Sequence, residues 1–276
     1  MKVVETLEEL RLARSDLAAP IGLVPTMGFL HEGHLSLVRR ACIECSSVVV
    51  SIYVNPTQFG PSEDMAAYPR NLKGDLDQLA AESVDLVWTP TDEIMYPTGF
   101  QTWVMVEEIT KQLEGAVRPG HFRGVATVVS KLFNAVRPNK AYFGQKDAQQ
   151  AVVIRRLVRD LNYPVDIVVC PIVREPDGLA MSSRNVYLNP QEHQAAAVLS
   201  RGLFKVKAAF ETGERDASRL RETVLDTLLT EPLVKVQYVS CAHPDTLQEL
   251  DGKVDHALIS LAVMVGKTRL IDNILV

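Results

Sequence analysis

The sequence predicts an α/β protein: a Rossmann-like parallel sheet domain over residues 1–174, followed by a smaller α+β lid domain with an antiparallel sheet over 175–276. Three observations carry that reading. Between residues 21 and 170, short β-branched apolar runs alternate with helical stretches, the pattern of a parallel sheet with right-handed crossovers. Beyond a segment punctuated by Pro and Gly at 174–180, two helical stretches precede three consecutive strand-like runs, the pattern of an α+β domain. The 276 residues also exceed the common single-domain size of roughly 100 to 150 residues.

Residues 21–24 form a short apolar run closed by Pro25, which is read as ending the strand. A turn through His34 leads into a helix over 35–42, apolar on one side and basic on the other. Residues 48–54 are nearly continuous β-branched residues, as in a strand covered on both faces. A polar helix over 72–81 and a strand over 84–88 complete a second crossover, and 89–99 is a connector. Residues 101–106 are read as a further strand. Val125, Val128, Val129, Leu132, Phe133 and Val136 recur at i, i+3, i+4, i+7, i+8 and i+11, which predicts an amphipathic helix over 123–137, stopped by Pro138. Strands over 141–143 and 165–170 flank a helix that runs to about Asp160. The second domain reads as helices over 190–213 and 216–230, then strands over 234–241, 257–264 and 268–276.

Composition narrows the class. With 47% hydrophobic and 23% charged residues the chain is an ordinary folded, water-soluble protein. A net charge of −5 argues against a nucleic-acid partner, which would need a basic footprint. The first ten residues lack the pattern of a signal peptide and no run approaches 18 apolar residues, so no membrane partner and a cytoplasmic location are expected. Of Cys42, Cys45, Cys170 and Cys241, three sit among strand-like or apolar helical residues and read as small hydrophobes; Cys42 and Cys45 are spaced C-x-x-C, but no second pair completes a zinc site.

In an open parallel sheet, ligands bind beyond the carboxyl ends of the strands, and four polar clusters fall there: 25–34, 55–58, 144–147 and 173–184. In the first, Gly28 and Gly33 permit close backbone approach, and amides at a helix start offer donors to an anion. His31 and His34 project on the same side, and the helix N-terminus favours their neutral form, so both suit donation to phosphate oxygens. Taken alone, H-x-x-H equally fits two solvated histidines or a metal site. Asn55 and Gln58 also fit a strand-end cap, Lys146 a surface lysine, Ser182 to Arg184 a polar loop, and His121 a side chain bonded to a backbone carbonyl. His193, His243 and His256 stand outside any motif and read as surface or core residues.

The H-x-G-H turn after a first Rossmann-type strand resembles the HIGH signature of the nucleotidylyltransferase superfamily, and Met181-Ser182-Ser183-Arg184-Asn185 resembles its KMSKS loop. Together with Val54-Asn55-Pro56-Thr57-Gln58-Phe59, Arg118-Pro119-Gly120-His121-Phe122-Arg123-Gly124-Val125 and Phe143-Gly144-Gln145-Lys146-Asp147 followed by Gln149-Gln150, these segments resemble the pantothenate synthetase (pantoate–β-alanine ligase) family across the whole chain.

The resemblance implies an ATP-dependent condensation of pantoate with β-alanine through a pantoyl adenylate, releasing AMP and pyrophosphate. It assigns Met27, Gly28, Phe29, Leu30, His31, Glu32, Gly33 and His34 to the ATP site, with His34 as proton donor. Gly144, Gln145, Lys146, Asp147, Val173, Met181, Ser182, Ser183 and Arg184 complete that site, and His31, His34, Lys146 and Arg184 are the donors to the reacting phosphate. Gln58 and Gln150 would hold pantoate, with Asn55 bordering the pocket. The family often has Gly-Glu-Lys-Asp where this chain has Gly144-Gln145-Lys146-Asp147, which leaves the second side chain's role open. ATP is a substrate, Mg2+ accompanies ATP and pyrophosphate, and no tightly bound organic cofactor is expected. Metal ligands are not fixed by the resemblance; Asp75 and Gln78 are conceivable outer residues. A homodimer is implied, and residues 174–177 are expected to act as a hinge that closes the second domain as a lid.

Overall fold

The computed structural model of the protein describes residues 1–61 and 63–276. The chain divides into two units, Met1–Gly144 with Val153–Pro171, and Gln145–Val152 with Ile172–Val276.

The first unit is built on a six-stranded parallel sheet. In chain order its elements are β1 (Lys2–Val4), α1 (Leu7–Ser15), β2 (Ile21–Thr26), α2 (Glu32–Glu44), β3 (Ser47–Ile52), α3 (Leu72–Ala81), β4 (Leu86–Trp88), α4 (Asp92–Met95), α5 (Glu114–Val117), α6 (His121–Val136), β5 (Lys140–Gly144), α7 (Ala148–Asp160) and β6 (Asp166–Cys170). The strand order is β1-β4-β3-β2-β5-β6. Chain order therefore reverses between β2 and β5, the place where open α/β sheets bind ligands. The continuous apolar run of β3 is buried throughout, as a strand covered on both faces requires: Val48, Val49 and Val50 are at most 2% exposed. Val24, Val38, Ala41, Val50, Leu79, Val87 and Tyr142 share one core between the sheet and helices α2 and α3.

Three first-unit expectations need correction. β2 runs through Pro25, which pairs in register with Ser51. Thr26 accepts the Tyr53 amide through its carbonyl at 3.0 Å, so by alternation the imide nitrogen of Pro25 faces the β5 side. Pairing on that side reaches only Gly22 and Leu23, and the missing N–H breaks no ladder. Residues 101–106 are not a strand. They are held through side chains instead: Val104 donates its amide to Thr127 Oγ1 at 3.1 Å, and Trp103 stacks on Tyr96 with its ring 4.6 Å from the Arg123 guanidinium. The edge strand β1 and α1 were not expected, although α1 carries a full capping box from Thr6 and Glu9.

The second unit continues with α8 (Pro190–Ala196), α9 (Val198–Glu211), α10 (Ala217–Leu229), β7 (Val234–Ala242), β8 (Leu258–Val265) and β9 (Thr268–Leu275). The three strands form an antiparallel sheet in the order β7-β8-β9, with β9 at an edge. Leu199, Leu203, Leu220, Val224, Leu228, Ile259, Leu261 and Val263 belong to its core. The single helix expected over 190–213 is two, because Ala195, Ala196, Val198 and Leu199 are all buried. Four such residues in five encircle a turn, more than one helical stripe can hold, and a break at Ala197 lets each segment bury its own. Among the described residues no helix is long and apolar enough to cross a membrane. The four cysteines are free thiols, with Cys170 and Cys241 buried; burial pushes the half-buried Cys42 thiol above its ordinary value.

Candidate active site

Beyond β2 the backbone enters the left-handed region twice in succession, at Gly28 (φ 80°) and Phe29 (φ 51°). A Cβ on Gly28 would stand 3.0 Å from Asp75 Oδ2 and 3.1 Å from Ile52 Cγ2, so glycine is required by space as well as by φ. The two residues turn the amides of Phe29 and Leu30 to one side, a concavity suited to an anion. That anion is internal. Asp75 of α3, 2% exposed, accepts Phe29 N–H at 2.8 Å and Leu30 N–H at 2.7 Å. Burial raises the Asp75 carboxyl above its ordinary value, while these two donors pull the other way. The backbone amides of Phe29 and Leu30 are therefore already committed, and Leu30 itself lies in the sheet core.

His31 is the N-cap of α2. Its Nδ1 accepts Gly33 N–H at 3.1 Å, and His34 Nδ1 accepts His31 N–H in a longer contact of 3.4 Å, a capping box made of two imidazoles. The rings lie 4.1 Å apart. A neutral imidazole has one acceptor and one N–H, so with Nδ1 accepting in both, the hydrogens sit on Nε2. A proton on Nδ1 would set N–H against N–H and break the cap. Glu32 is exposed and forms ion pairs with Arg39, which also holds Glu82, so its carboxylate is engaged on the outer face of α2.

Beyond β3, Asn55 caps a 3-10 turn at Pro56–Gln58. Only 1% exposed, it has every valence in use: Oδ1 accepts Thr57 Oγ1 and Tyr96 Oη, each at 2.9 Å, and Nδ2 donates to Gly124 O and Gln58 Oε1, each at 3.2 Å. Asn55 thus caps the turn and holds the Gln58 side chain through its Nδ2. The Gln58 Nε2 lies 2.8 Å from Met27 Sδ, which brings the 3-10 turn and the histidine turn together. The turn packs on α6 at Gly124, where a Cβ would stand only 2.4 Å from Thr57 O.

From the other side, His121 Nδ1 donates to the Gln58 carbonyl at 2.7 Å, as the backbone-bonded alternative anticipated. Its Nε2 then accepts from Arg118 Nη1 at 3.1 Å, and Arg118 makes a bidentate pair with Glu63 at 2.7 and 2.6 Å. Burial and the neighbouring guanidinium push His121 down to about 4. Burial opposes charge on Glu63 too, but Arg118 outweighs it and holds that carboxyl below its ordinary value. Asp75 is bonded to backbone amides, and Gln78 Nε2 donates to Gly74 O at 3.3 Å. No group of three metal-ligating side chains occurs among the described residues.

Gly144 closes β5 opposite Cys170 in the first unit; in the second, Gln145–Asp147 is a 3-10 turn that leads into the start of α7, which carries Gln150. The Lys146 side chain is 22% exposed with Nζ 3.5 Å from Asp147 Oδ1. Met181 donates its amide to Val173 O at 3.0 Å and Arg174 bridges Ala180, which makes 173–181 a closed hairpin. Ser182 then caps the 3-10 turn Ser183–Tyr187 by accepting Arg184 N–H at 3.2 Å. The segment expected as a hinge is cross-braced: Glu175 holds Asn185 at 2.6 Å and His193 at 2.9 Å, and His193 also reaches Asp177 at 3.3 Å. Bending at 174–177 would break these contacts.

Sequence reasoning missed Asp75 as a backbone clamp, Gly124 as a contact glycine, and Asp272 and Asn273. Only Gly124 lay inside a noted motif. A buried acid in an otherwise polar helix leaves no periodic signal.

A family profile described as pantoate-beta-alanine ligase matches residues 2–275. The pantothenate synthetase of Roseiflexus castenholzii is 60% identical over 273 residues, 99% of this chain and 98% of the relative. The crystal structure of pantothenate synthetase from Thermus thermophilus superposes with a TM-score of 0.95 at 47% identity, covering 99% of both chains. That of pantoate-beta-alanine ligase from Francisella tularensis, complexed with beta-gamma ATP and β-alanine, gives 0.80 at 37% identity over 100% of this chain and 97% of the other.

Proposed function

The chain belongs to the pantoate-beta-alanine ligase family, and from that premise we propose that it condenses pantoate with β-alanine at the expense of ATP, through a pantoyl adenylate. A carboxylate oxygen of pantoate attacks the α-phosphorus of ATP while the bond to the bridging oxygen of the β-phosphate breaks, and pyrophosphate leaves. The β-alanine nitrogen then attacks the acyl carbon, the bond to the phosphate oxygen breaks, and AMP leaves as the nitrogen gives up a proton.

The observation that most directly supports this reading is the contact between Gln58 and Met27, which sets a carboxylate-recognising amide beside the histidine-capped turn. His31 and His34 present Nε2–H donors for the phosphate oxygens, with His34 as proton donor. Lys146 and Arg184 supply positive charge, and Gln58 with Gln150 holds pantoate. No covalent protein nucleophile is needed, because the work is positioning and stabilisation of developing charge. Magnesium enters as the counter-ion of the triphosphate and leaves with pyrophosphate, part of the substrate.

Incubation with Mg-ATP, pantoate and β-alanine should yield AMP and pantothenate in equal amounts. Without β-alanine, the protein should exchange labelled pyrophosphate into ATP only when pantoate is present. Exchange that ignores pantoate would overturn the adenylate. His34→Ala should keep the fold and lose exchange by about 10²-fold to 10³-fold, the usual cost of removing one charge-stabilising donor. A substrate set that includes ATP supports the cytoplasm as the place of action. A homodimer is proposed on the family resemblance alone, to be tested by sedimentation equilibrium.

A further inference from the structure

Two consecutive buried polar residues near the carboxyl end of the chain have no part in the motifs above. Asp272 and Asn273 on β9 are each 2% exposed. Successive strand residues face opposite ways, and burying a carboxylate and an amide costs several kcal/mol unless each is fully bonded. Both are. Asp272 holds Arg174 in a bidentate pair at 2.6 and 3.1 Å and accepts the Asn273 amide at 2.8 Å. Asn273 Nδ2 donates to Gln145 O and Lys146 O, each at 2.9 Å, while its Oδ1 accepts Gln145 Nε2 at 3.0 Å.

One side-chain amide therefore fixes two successive carbonyls of the turn that carries Lys146. With those carbonyls pinned, the peptide planes on either side of the Lys146 Cα are set, and so is the direction in which its side chain leaves the backbone. Arg174, held by Asp272, also donates to Gly178 O at 3.1 Å. The edge strand thus ties the Lys146 turn to the hairpin that precedes Met181.

We propose that Asn273 is a positioning residue of the adenylation step, acting through Lys146, with the Asp272–Arg174 pair bracing it. The proposal rests on the reading of Lys146 as a phosphate donor.

The test is a double-mutant cycle of Asn273→Ala and Lys146→Ala, read by pantoate-dependent pyrophosphate exchange and accompanied by thermal melting. Asn273→Ala should lower kcat by about 10-fold to 100-fold, the effect of a displacement near 1 Å, with a smaller change in KM for ATP. In the Lys146→Ala background the same substitution should cost less than about 2-fold, because interacting residues are non-additive. Asn273→Asp, which keeps the size but sets an oxygen against two carbonyls, should reproduce the loss. Should Asn273→Ala melt without cooperativity, Asn273→Ser, which keeps one donor, should show an intermediate kcat. An equal loss in both backgrounds, or wild-type kcat in Asn273→Ala, would overturn the proposal alone. Unchanged exchange in Lys146→Ala by itself would instead overturn the reading of Lys146 beneath it.

Discussion

Gly124→Ala separates geometry from stability at the Gln58 turn. A Cβ at this position of α6 would stand 2.4 Å from Thr57 O, 2.6 Å from Thr57 C and 2.8 Å from Gln58 N, all backbone atoms. Ordinary contact begins at 3.4 Å, so α6 and the turn must part by about 1 Å. Overpacking of this kind costs about 1–3 kcal/mol, and replacing a helix-interior glycine by alanine returns about 1 kcal/mol of helix propensity. Net stability should therefore fall by no more than about 2 kcal/mol. The displaced atoms include the Gln58 backbone, and the Gly124 carbonyl is one of the two acceptors of Asn55 Nδ2. A shift near 1 Å in a positioning element costs on the order of 10²-fold in rate. Pantoate-dependent exchange should accordingly fall by about that factor with a raised KM for pantoate, while a cooperative melt survives. Wild-type kcat/KM together with a wild-type melt would refute the argument, because it would mean that the contact relaxes without moving Gln58.

Three further outcomes follow from the same geometry. Asp75→Asn places an NH2 against one of two backbone donors, so unfolding in urea should show a loss of about 1.5–3 kcal/mol, the worth of a hydrogen bond to a charged group, and unchanged stability would contradict the clamp. His121 is held at about 4 against an ordinary 6.5, so its neutral form favours the fold. That contribution is complete above pH 6.5 and disappears as pH falls from 6.5 towards 4; at about 1.4 kcal/mol per pH unit it amounts to about 3 kcal/mol. Urea midpoints measured across that window should fall less steeply in His121→Gln than in the parent. Gly202→Ala is the counterpart of Gly124→Ala, since its Cβ would meet Val224 and Thr227 at ordinary distances of 3.5–3.6 Å. It should raise the melting temperature, by roughly 0.5–1 kcal/mol of helix propensity, without touching exchange.

The sheet was legible because its signal is local. β-branched runs and helical spacing mark β3, α3, α6 and β6 without reference to anything distant. The misreadings share one cause, neighbours that a single strand cannot see. Pro25 is tolerated because β5 stops pairing with β2 at Leu23, and residues 101–106 look like a strand but dock through Trp103 and Val104 on α6. The site divides in the same way. His31, His34, Gln58 and Lys146 are unusual residue types in turns and could be picked out directly. Asp75 lies 45 residues from the Leu30 amide it holds, and Asn273 lies 127 from the Lys146 carbonyl. Their side chains are ordinary, and only the fold shows what they grip.

The clamp by Asp75 also changes what the histidine turn can offer a phosphate. A glycine turn at a helix start commonly binds anions through its backbone, and here the two amides best placed for that already face a carboxylate. A second anion brought to the same amides would meet the Asp75 charge at close range, in a buried setting where repulsion is weakly screened. On the proposed reading, phosphate recognition at this turn would shift outward, from main chain to the Nε2–H groups of His31 and His34, whose Nδ1 atoms accept from backbone donors. Such a pair is preorganised, because the ring tautomer is set by the cap and needs no rearrangement when substrate arrives. With the Phe29 and Leu30 amides committed to Asp75, main chain shares less of the load, so the loss at His34 should fall toward the upper end of the range of about 10²-fold to 10³-fold.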